Sequence, residues 1–536
     1  MNALDYSVVG FYLIGLLFFG FLLRKQSGEG DYFLGGRSIG WFPLTLSTMA
    51  TQLSAISFIS APAFVGFREG GGLKWLTYEF SVPLAMILVM FVISPALYRS
   101  GFVSIYQFLE ARLGRSTRML VSISFQVIRA FGTGIMVYAI GLILDAALGI
   151  PFWQSVVIIG VITLIYSASG GMKAVVYGDA LQMALIFGGL VLVAAFALAE
   201  IGGFQAFWHQ VDADRLTAVD FSSLGFSGDE FGFLPMVFGG FVLYASYYGC
   251  DQTQAQRILS SQNMDGARRI LLANGLLRFP LVVLYCFAGL MIGVAVANSP
   301  ELLAKIPADK PDYMMPVFIL ERLPNGLIGI LFVAITAAAM SSLSSTVNSL
   351  AAVTLEDLSV LGLKPGSDAG KLNWARGLSI FWGVVILILS AFAGSIAPTV
   401  IEAINKIGST LYGPILAIFL IAILFRNVSA ASVNIGLLLG VALNLYLWLF
   451  EPQVFWMWWN LIGFVVTISV AVVVSTVAGL AVDESAPLER EQTAVISKVA
   501  GLAVEARRMI LILGGFFLVM IAFSVAIGMV GANPGP

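Results

Sequence analysis

Four serines crowd five positions, Ser341, Ser342, Ser344 and Ser345, with Thr346 and Asn348 behind them and the alanine run Ala337-Ala338-Ala339 in front. Ser341, Ser344 and Ser345 fall at i, i+3 and i+4, so a helix puts their hydroxyls on one face, with Ser342 beside it. Hydroxyl oxygens are hard ligands and suit hard cations. Carrying no formal charge, they suit a monovalent ion such as Na⁺ better than Ca²⁺. Asp179, in a segment opened by Gly170-Gly171, offers one carboxylate to such a site. Two other stretches hold polar groups in apolar surroundings. Positions 46–60 carry seven hydroxyl or amide residues, Ser47, Thr48, Thr51, Gln52, Ser54, Ser57 and Ser60, and Pro62 follows. Tyr244, Tyr247 and Tyr248 cluster with Gly249 and Asp251. A helix broken at either stretch would free backbone carbonyls for a cation and amides for a solute, as discontinuous helices do in transporters.

The elements that position these groups must lie in lipid. The chain has 536 residues, 59% hydrophobic and only 11% charged, with mean hydropathy +0.94. A soluble chain carries ~25% charge, so the composition describes a polytopic membrane protein. At ~20 apolar residues per crossing, fourteen helices are expected: 5–24, 40–66, 74–98, 119–148, 152–170, 177–202, 233–258, 268–297, 326–360, 374–394, 398–425, 430–450, 455–480 and 508–531. The first is too long for a signal peptide and lacks a cleavage site. The two candidate breaks lie five spans apart, the spacing of two inverted five-helix repeats. The fold class is thus all-α, with a leading helix at 5–24, repeats over 40–202 and 233–425, and three trailing helices over 430–531. The whole chain is expected to form one transmembrane domain, with interrupted helices of the kind that transporters use.

Alternating the loops between two sides puts 19 of the 28 Lys and Arg residues on one side and 6 on the other. The richer side is expected in the cytoplasm, which places both termini outside the cell membrane. Arg129, Arg278 and Lys406 remain inside spans, with Glu79, Asp145, Asp179, Asp251 and Glu402 inside or near their ends. Charge at membrane depth usually lines a polar path.

Several classes are disfavoured. A net charge of −2 leaves no basic face for nucleic acid. The sole histidine, His209, falls in a loop, which argues against histidine metal centres and a Ser-His-Asp triad. Cys250 and Cys286 allow at most one disulfide, and both fall in apolar stretches. No loop is long enough for a catalytic domain. The segment 483–506 reads as a solvated linker with an amphipathic stretch. An enzyme and an organic cofactor are not expected, nor an obligate protein partner. A solute sensor on a transporter fold and a sodium-conducting channel are the rival readings.

The chain resembles the sodium:solute symporter family, which includes sodium/glucose, sialic acid, monocarboxylate and proline transporters. The resemblance rests on Asp31-Tyr32-Phe33-Leu34-Gly35-Gly36-Arg37-Ser38, on Ser169-Gly170-Gly171 through Asp179 and Gln182, on Gln256-Arg257, and on the serine ladder through Asn348. It implies a LeuT-like inverted-repeat core over the second to eleventh spans. It also implies Na⁺-coupled uptake of a small polar solute by alternating access, with one or two ions. Its sodium site would use carbonyls of Ala50, Leu53 and Ala338 with the hydroxyls of Ser341 and Ser342. A second ion, present in some members, would use Asp179, Ser341, Ser344 and Ser345. Tyr247 matches the inner-gate tyrosine of the sugar symporters and Glu79 their sugar-binding glutamate. Asn405 or Lys406 falls near their glutamine.

The match departs at Gln52, Ser57 and Tyr244, where the sugar symporters carry Asn, Gln and Asn. The sialic acid symporter's carboxylate-binding arginine maps to Gly132, with Arg129 about a turn away. No aspartate stands in the first broken helix, which disfavours proline. The solute is expected among Gln52, Ser54, Ser57, Glu79, Tyr244, Tyr247, Asn405 and Lys406. Glu79 favours a polyhydroxy solute, Lys406 and Arg129 an anion.

Overall fold

The computed structural model describes the chain except residues 54, 229, 308–309, 364, 393–399, 426, 478–503 and 533–536. The side chains of 55–56, 146–148, 400–405 and 531–532 also lie outside the description. The main helices are α1 Ala3–Leu22, α2 Trp41–Gln52, α3 Ala55–Gly66, α4 Leu73–Ser100, α5 Ile105–Leu113, α6 Arg115–Leu148, α7 Phe152–Ile201, α8 Phe233–Cys250, α9 Gln252–Leu259, α10 Met264–Ala297, α11 Leu327–Val360, α12 Asp368–Phe392, α13 Val400–Leu424, α14 Ala430–Phe450, α15 Trp456–Val477 and α16 Val504–Ala532. No β-strand is present among the described residues beyond two isolated bridges.

Twelve of these helices are long and apolar enough to cross a membrane, thirteen when α2 and α3 count as one bent span. The expected count of fourteen treats α7 as two crossings. α7 is 50 residues long, about 75 Å at 1.5 Å per residue, against a ~30 Å hydrocarbon core. Two helices meet inside it at Gly171, whose φ is +57°. A Cβ there would lie 2.7 Å from the carbonyl oxygen of Tyr32, so glycine answers both the backbone conformation and the close approach.

Both expected breaks are present. α2 and α3 meet at 58°. α2 ends at Leu53, which has left the helical region with ψ +89°. Carbonyls in its last turn therefore lack i+4 amides within the helix. α8 ends and α9 begins at Asp251, which is extended (φ −100°, ψ 123°) and caps α9 by accepting the Thr253 amide at 2.8 Å.

α11 is buried along most of its length, as a helix at the centre of a bundle must be. α1 anchors one end of it: Asp5 Oδ1 accepts the amides of Gly326 at 2.6 Å and Gly329 at 3.0 Å. At the other end Asp357 accepts Arg118 Nε at 3.1 Å, Ser122 Oγ at 2.7 Å and Gln126 Nε2 at 3.0 Å, which ties α11 to α6. Small residues let α3 approach α10. A Cβ on Gly66 would meet the Gly289 carbonyl oxygen at 1.9 Å, and one on Gly293 the Gly66 carbonyl oxygen at 2.2 Å. Such contacts replace the hydrophobic drive that lipid cannot supply between helices. The expected linker at 483–506 lies mostly outside the described residues.

Candidate functional site

The serine ladder sits mid-way along α11, facing the end of α2 and the middle of α7. Ser341, Ser344 and Ser345 are essentially inaccessible, and Ser342 is nearly so. Thr51 Oγ1 and Ser345 Oγ lie 3.1 Å apart. Ser342 Oγ donates to the Ala338 carbonyl at 3.3 Å, so two residues expected around one ion already touch. Ala50 and Leu53 are fully buried on the α2 side.

Ser341 was expected in both ion sites, and its hydroxyl donates to Asp179 Oδ1 at 2.7 Å. Asp179 is fully buried and also accepts Ser47 Oγ at 2.6 Å and Ser345 Oγ at 3.3 Å. Ser344 instead donates back to the Ser341 carbonyl at 3.1 Å. Asp179, Ser341 and Ser345 are thus brought together, with Ser344 one bond removed.

The cation on Asp179 comes from an unexpected place. Arg257, at the end of the expected span 233–258 and counted above with the charges of the basic side, is buried in α9 at 1% side-chain exposure. Its Nη2 lies 2.9 Å from Asp179 Oδ2, and its Nε donates to Ser47 Oγ at 2.8 Å. Nη2 also reaches Ser345 Oγ. The correction has a physical reason. The run Gln252-Thr253-Gln254-Ala255-Gln256-Arg257 is polar enough to pass for the solvated end of the expected span 233–258, yet it is a separate buried helix whose polar side chains are mostly engaged, with Gln254 Oε1 left without a partner among the described residues. Gln252 spans Val103 and Ile105, Thr253 meets Ser349 at 3.0 Å, Gln254 donates to Tyr247 at 2.9 Å, and Gln256 donates to Phe33 and Asn348. The usable signal was the absence of any Gly or Pro between Gln252 and Leu259.

Of the expected solute residues, Gln52, Tyr244 and Tyr247 lie together where the two breaks face each other. Tyr248, buried, donates to Gln52 Oε1 at the end of α2. Tyr247 packs edge-on against Tyr248 and Tyr412, with ring centroids 5.4 and 6.3 Å away. Tyr244 lies one turn back, 6.4 Å from Tyr248. Ser57 is half-buried on α3. Ser54 and the Asn405 side chain fall outside the described residues. Lys406 is half-buried near the start of α13, and the side chain of Glu402 is not described.

The intramembrane arginines are paired. Arg129 Nε donates to Asp251 Oδ2 at 2.7 Å, and its guanidinium lies 5.1 Å from the Tyr247 ring centre. Asp145, also expected in or near a span, is exposed at the end of α6. Arg278 Nε donates to Glu79 Oε2 at 3.1 Å, with side-chain exposures of 6% and 2%. Glu79 is therefore a neutralised carboxylate rather than a free acceptor. Arg278 Nη1 and Ser246 Oγ are buried with no hydrogen-bond partner among the described residues. A small cavity bounded by Arg129, Ser246, Asp251, Gly408 and Tyr412 opens beside the second break.

Two broken helices facing a central ladder of hydroxyls, with a buried carboxylate behind it, define an Na⁺-coupled transporter of the LeuT type. The backbone superposes on that of a substrate-bound, outward-open Na⁺-coupled sialic acid symporter with a TM-score of 0.81, over 89% of this chain and 98% of that one, at 23% identity. The profile of the sodium:solute symporter family matches residues 32–440. The chain belongs to that family. It is 30% identical to the human sodium/iodide cotransporter over 454 residues, which cover 83% of this chain and 69% of the relative. It is also 30% identical to sodium-coupled monocarboxylate transporter 1 of Xenopus laevis over 434 residues, 80% of this chain and 68% of that one. The protein is accordingly a multi-pass membrane transporter of small solutes, not an enzyme, and sodium is its coupling ion.

Proposed function

We propose that the protein carries a small organic monocarboxylate into the cell with Na⁺ by alternating access. The unspent donors carry the solute assignment. Glu79, Asp251 and Asp179 each hold an arginine, while Arg278 Nη1 and Ser246 Oγ remain unpartnered among the described residues. A site with its acids neutralised and donors left over calls for an acceptor-rich anion. The relatives named for iodide and monocarboxylates carry anions too. The competing reading, a sugar or polyol, draws on Glu79, whose pairing with Arg278 weakens it.

The first Na⁺ binds where α2 breaks, to carbonyls of Ala50, Leu53 and Ala338 and hydroxyls of Ser341 and Ser342. A second binds at Asp179, Ser341, Ser344 and Ser345. The solute lies among Gln52, Ser54, Ser57, Glu79, Tyr244, Tyr247, Asn405 and Lys406, with Arg278 and Ser246 added from the structure. Tyr247 closes the inner side. The side with 19 basic residues faces the cytoplasm. The repeats occupy 40–202 and 233–425. Each charge moved inward draws ~2.3 kcal/mol per 100 mV of membrane potential, to which the sodium gradient adds.

The test is thermal stability of the detergent-purified chain in NaCl and in KCl, with lactate, pyruvate, glucose and a polyol. A ligand that binds only the folded state raises its melting temperature by mass action. Lactate or pyruvate should raise it in NaCl alone. A shift by glucose and not by the carboxylates would replace the anion reading with the sugar one. In proteoliposomes, Ser341→Ala with Ser342→Ala should abolish Na⁺-driven uptake, and retained sodium affinity in that double variant would refute the ion assignment.

A further inference from the structure

Asp179 has no exposure in this conformation, so its charge is costly here without a positive partner. In this conformation the partner is Arg257, a cation tethered to α9. The guanidinium joins four elements at one point: α9 by its own chain, α7 through Asp179 at 2.9 Å, α2 through Ser47 at 2.8 Å, and α11 through Ser345. α2 and α9 belong to the two broken helices. The pair therefore fastens both of them to α7 and α11. Movement of α9 away from α7 would strand the carboxylate.

The same carboxylate is ringed by oxygen. Ser341 and Ser345 donate to it, and Thr51 Oγ1 stands 3.1 Å from Ser345 Oγ. With Arg257 withdrawn, Asp179, Ser341, Ser345 and Thr51 present an oxygen set with one negative charge, suited to a hard monovalent cation.

We propose that Arg257 and Na⁺ take turns on Asp179. Arrival of Na⁺ displaces the guanidinium and unfastens α9, and departure of Na⁺ lets Arg257 return and lock it. Sodium at this site and the Arg257 clasp are mutually exclusive. Binding of the ion is thereby tied to movement of one half of the second broken helix. The inference rests on the sodium-symport reading above, and goes beyond it by assigning Arg257 the role of a competing internal cation.

The experiment uses the full purified chain and Na⁺ alone, with K⁺ as the control, so it requires no solute. Binding of radioactive sodium and the Na⁺ dependence of melting are measured for the wild type, Arg257→Gln, Asp179→Asn and the double variant. Arg257→Gln should bind Na⁺ about tenfold more tightly than the wild type, because its competitor is gone. It should also melt earlier in KCl and recover in NaCl. Asp179→Asn and the double variant should lose both the tight binding and the recovery.

Sodium affinity in Arg257→Gln within about twofold of the wild type would overturn the exchange. So would an equal gain in the double variant. If Arg257→Gln does not fold in either salt, Arg257→Lys decides. It keeps the charge but gives up the planar two-donor grip, so sodium should bind more tightly than in the wild type, and wild-type affinity would overturn the proposal. A wild type with no Na⁺ response at all would instead sink the symport reading itself.

Discussion

Arg278 and Glu79 meet between α10 and the first turns of α4 at 3.1 Å, with almost no solvent contact. A buried pair of this kind adds little net stability when intact, because desolvation offsets most of the attraction. Breaking it is another matter. Arg278→Leu would leave a lone carboxylate among Tyr244, Tyr248 and Tyr285, at a cost of ~3–5 kcal/mol. Adding Glu79→Gln removes that stranded charge, so the double variant should regain more than half of the loss, as read by melting in detergent. Equal melting of single and double variants would show that the pair is not what holds these two helices. Outside the membrane the opposite balance applies. Asp220 accepts the Ser222 hydroxyl and amide at 2.6 and 2.8 Å and the Ser223 amide at 3.2 Å. These bonds, the Ser222 hydroxyl first, pull its pKa down to about 2. Its folded-state pKa is depressed, so its stabilising effect is complete above the unfolded value of ~3.9 and is lost as the pH falls from there through about 2. Proteolytic nicking of the 217–232 loop should therefore rise over that acid window in the wild type. In Asp220→Asn it should be high and insensitive to pH across the same window.

The helices owe their placement to backbone approaches that side chains would forbid. Gly66 on α3 touches Gly289 and Gly293 on α10, two positions four residues apart on one helix face. Gly66→Ala would drive a methyl into the Gly289 carbonyl, and neither backbone can yield without moving a helix. A loss of about 1–3 kcal/mol is expected, seen as earlier melting, whereas Gly188→Ala, with nothing within 4 Å, should be silent. Both breaks were legible because a lipid-facing helix does not carry seven polar residues in fifteen, nor an aspartate two positions after Gly249. The ladder was legible for the same reason, since hydroxyl spacing on one helix face is a local property. Arg257 was not. Its partner Asp179 is 78 positions away, and only tertiary packing shows that the glutamine-rich end of the expected span 233–258 is interior. The Glu79–Arg278 pairing was hidden in the same way: both charges were visible at membrane depth, but which one faced which depends on how α4 and α10 cross.

At the scale of the whole molecule, charge decides which side faces the cytoplasm. The bilayer admits either orientation of a bundle of apolar helices, and the choice is made during insertion by Lys and Arg in short loops. Arg257 and Arg118 now drop out of that count, because both are buried and paired. That lowers the richer side from 19 to 17 against 6, still a large asymmetry. The loops 202–232 and 298–326 should therefore lie outside the cell, and the 361–367 turn inside. Both native cysteines are buried free thiols, so the chain offers a quiet background for labelling. Ala213→Cys places a thiol at an exposed position of the 202–232 loop, and Ser367→Cys places one at an exposed position on the other side. A membrane-impermeant maleimide applied to intact cells should label Ala213→Cys and leave Ser367→Cys unlabelled until the cells are opened. The reverse pattern would invert the molecule and place the 202–232 loop in the cytoplasm.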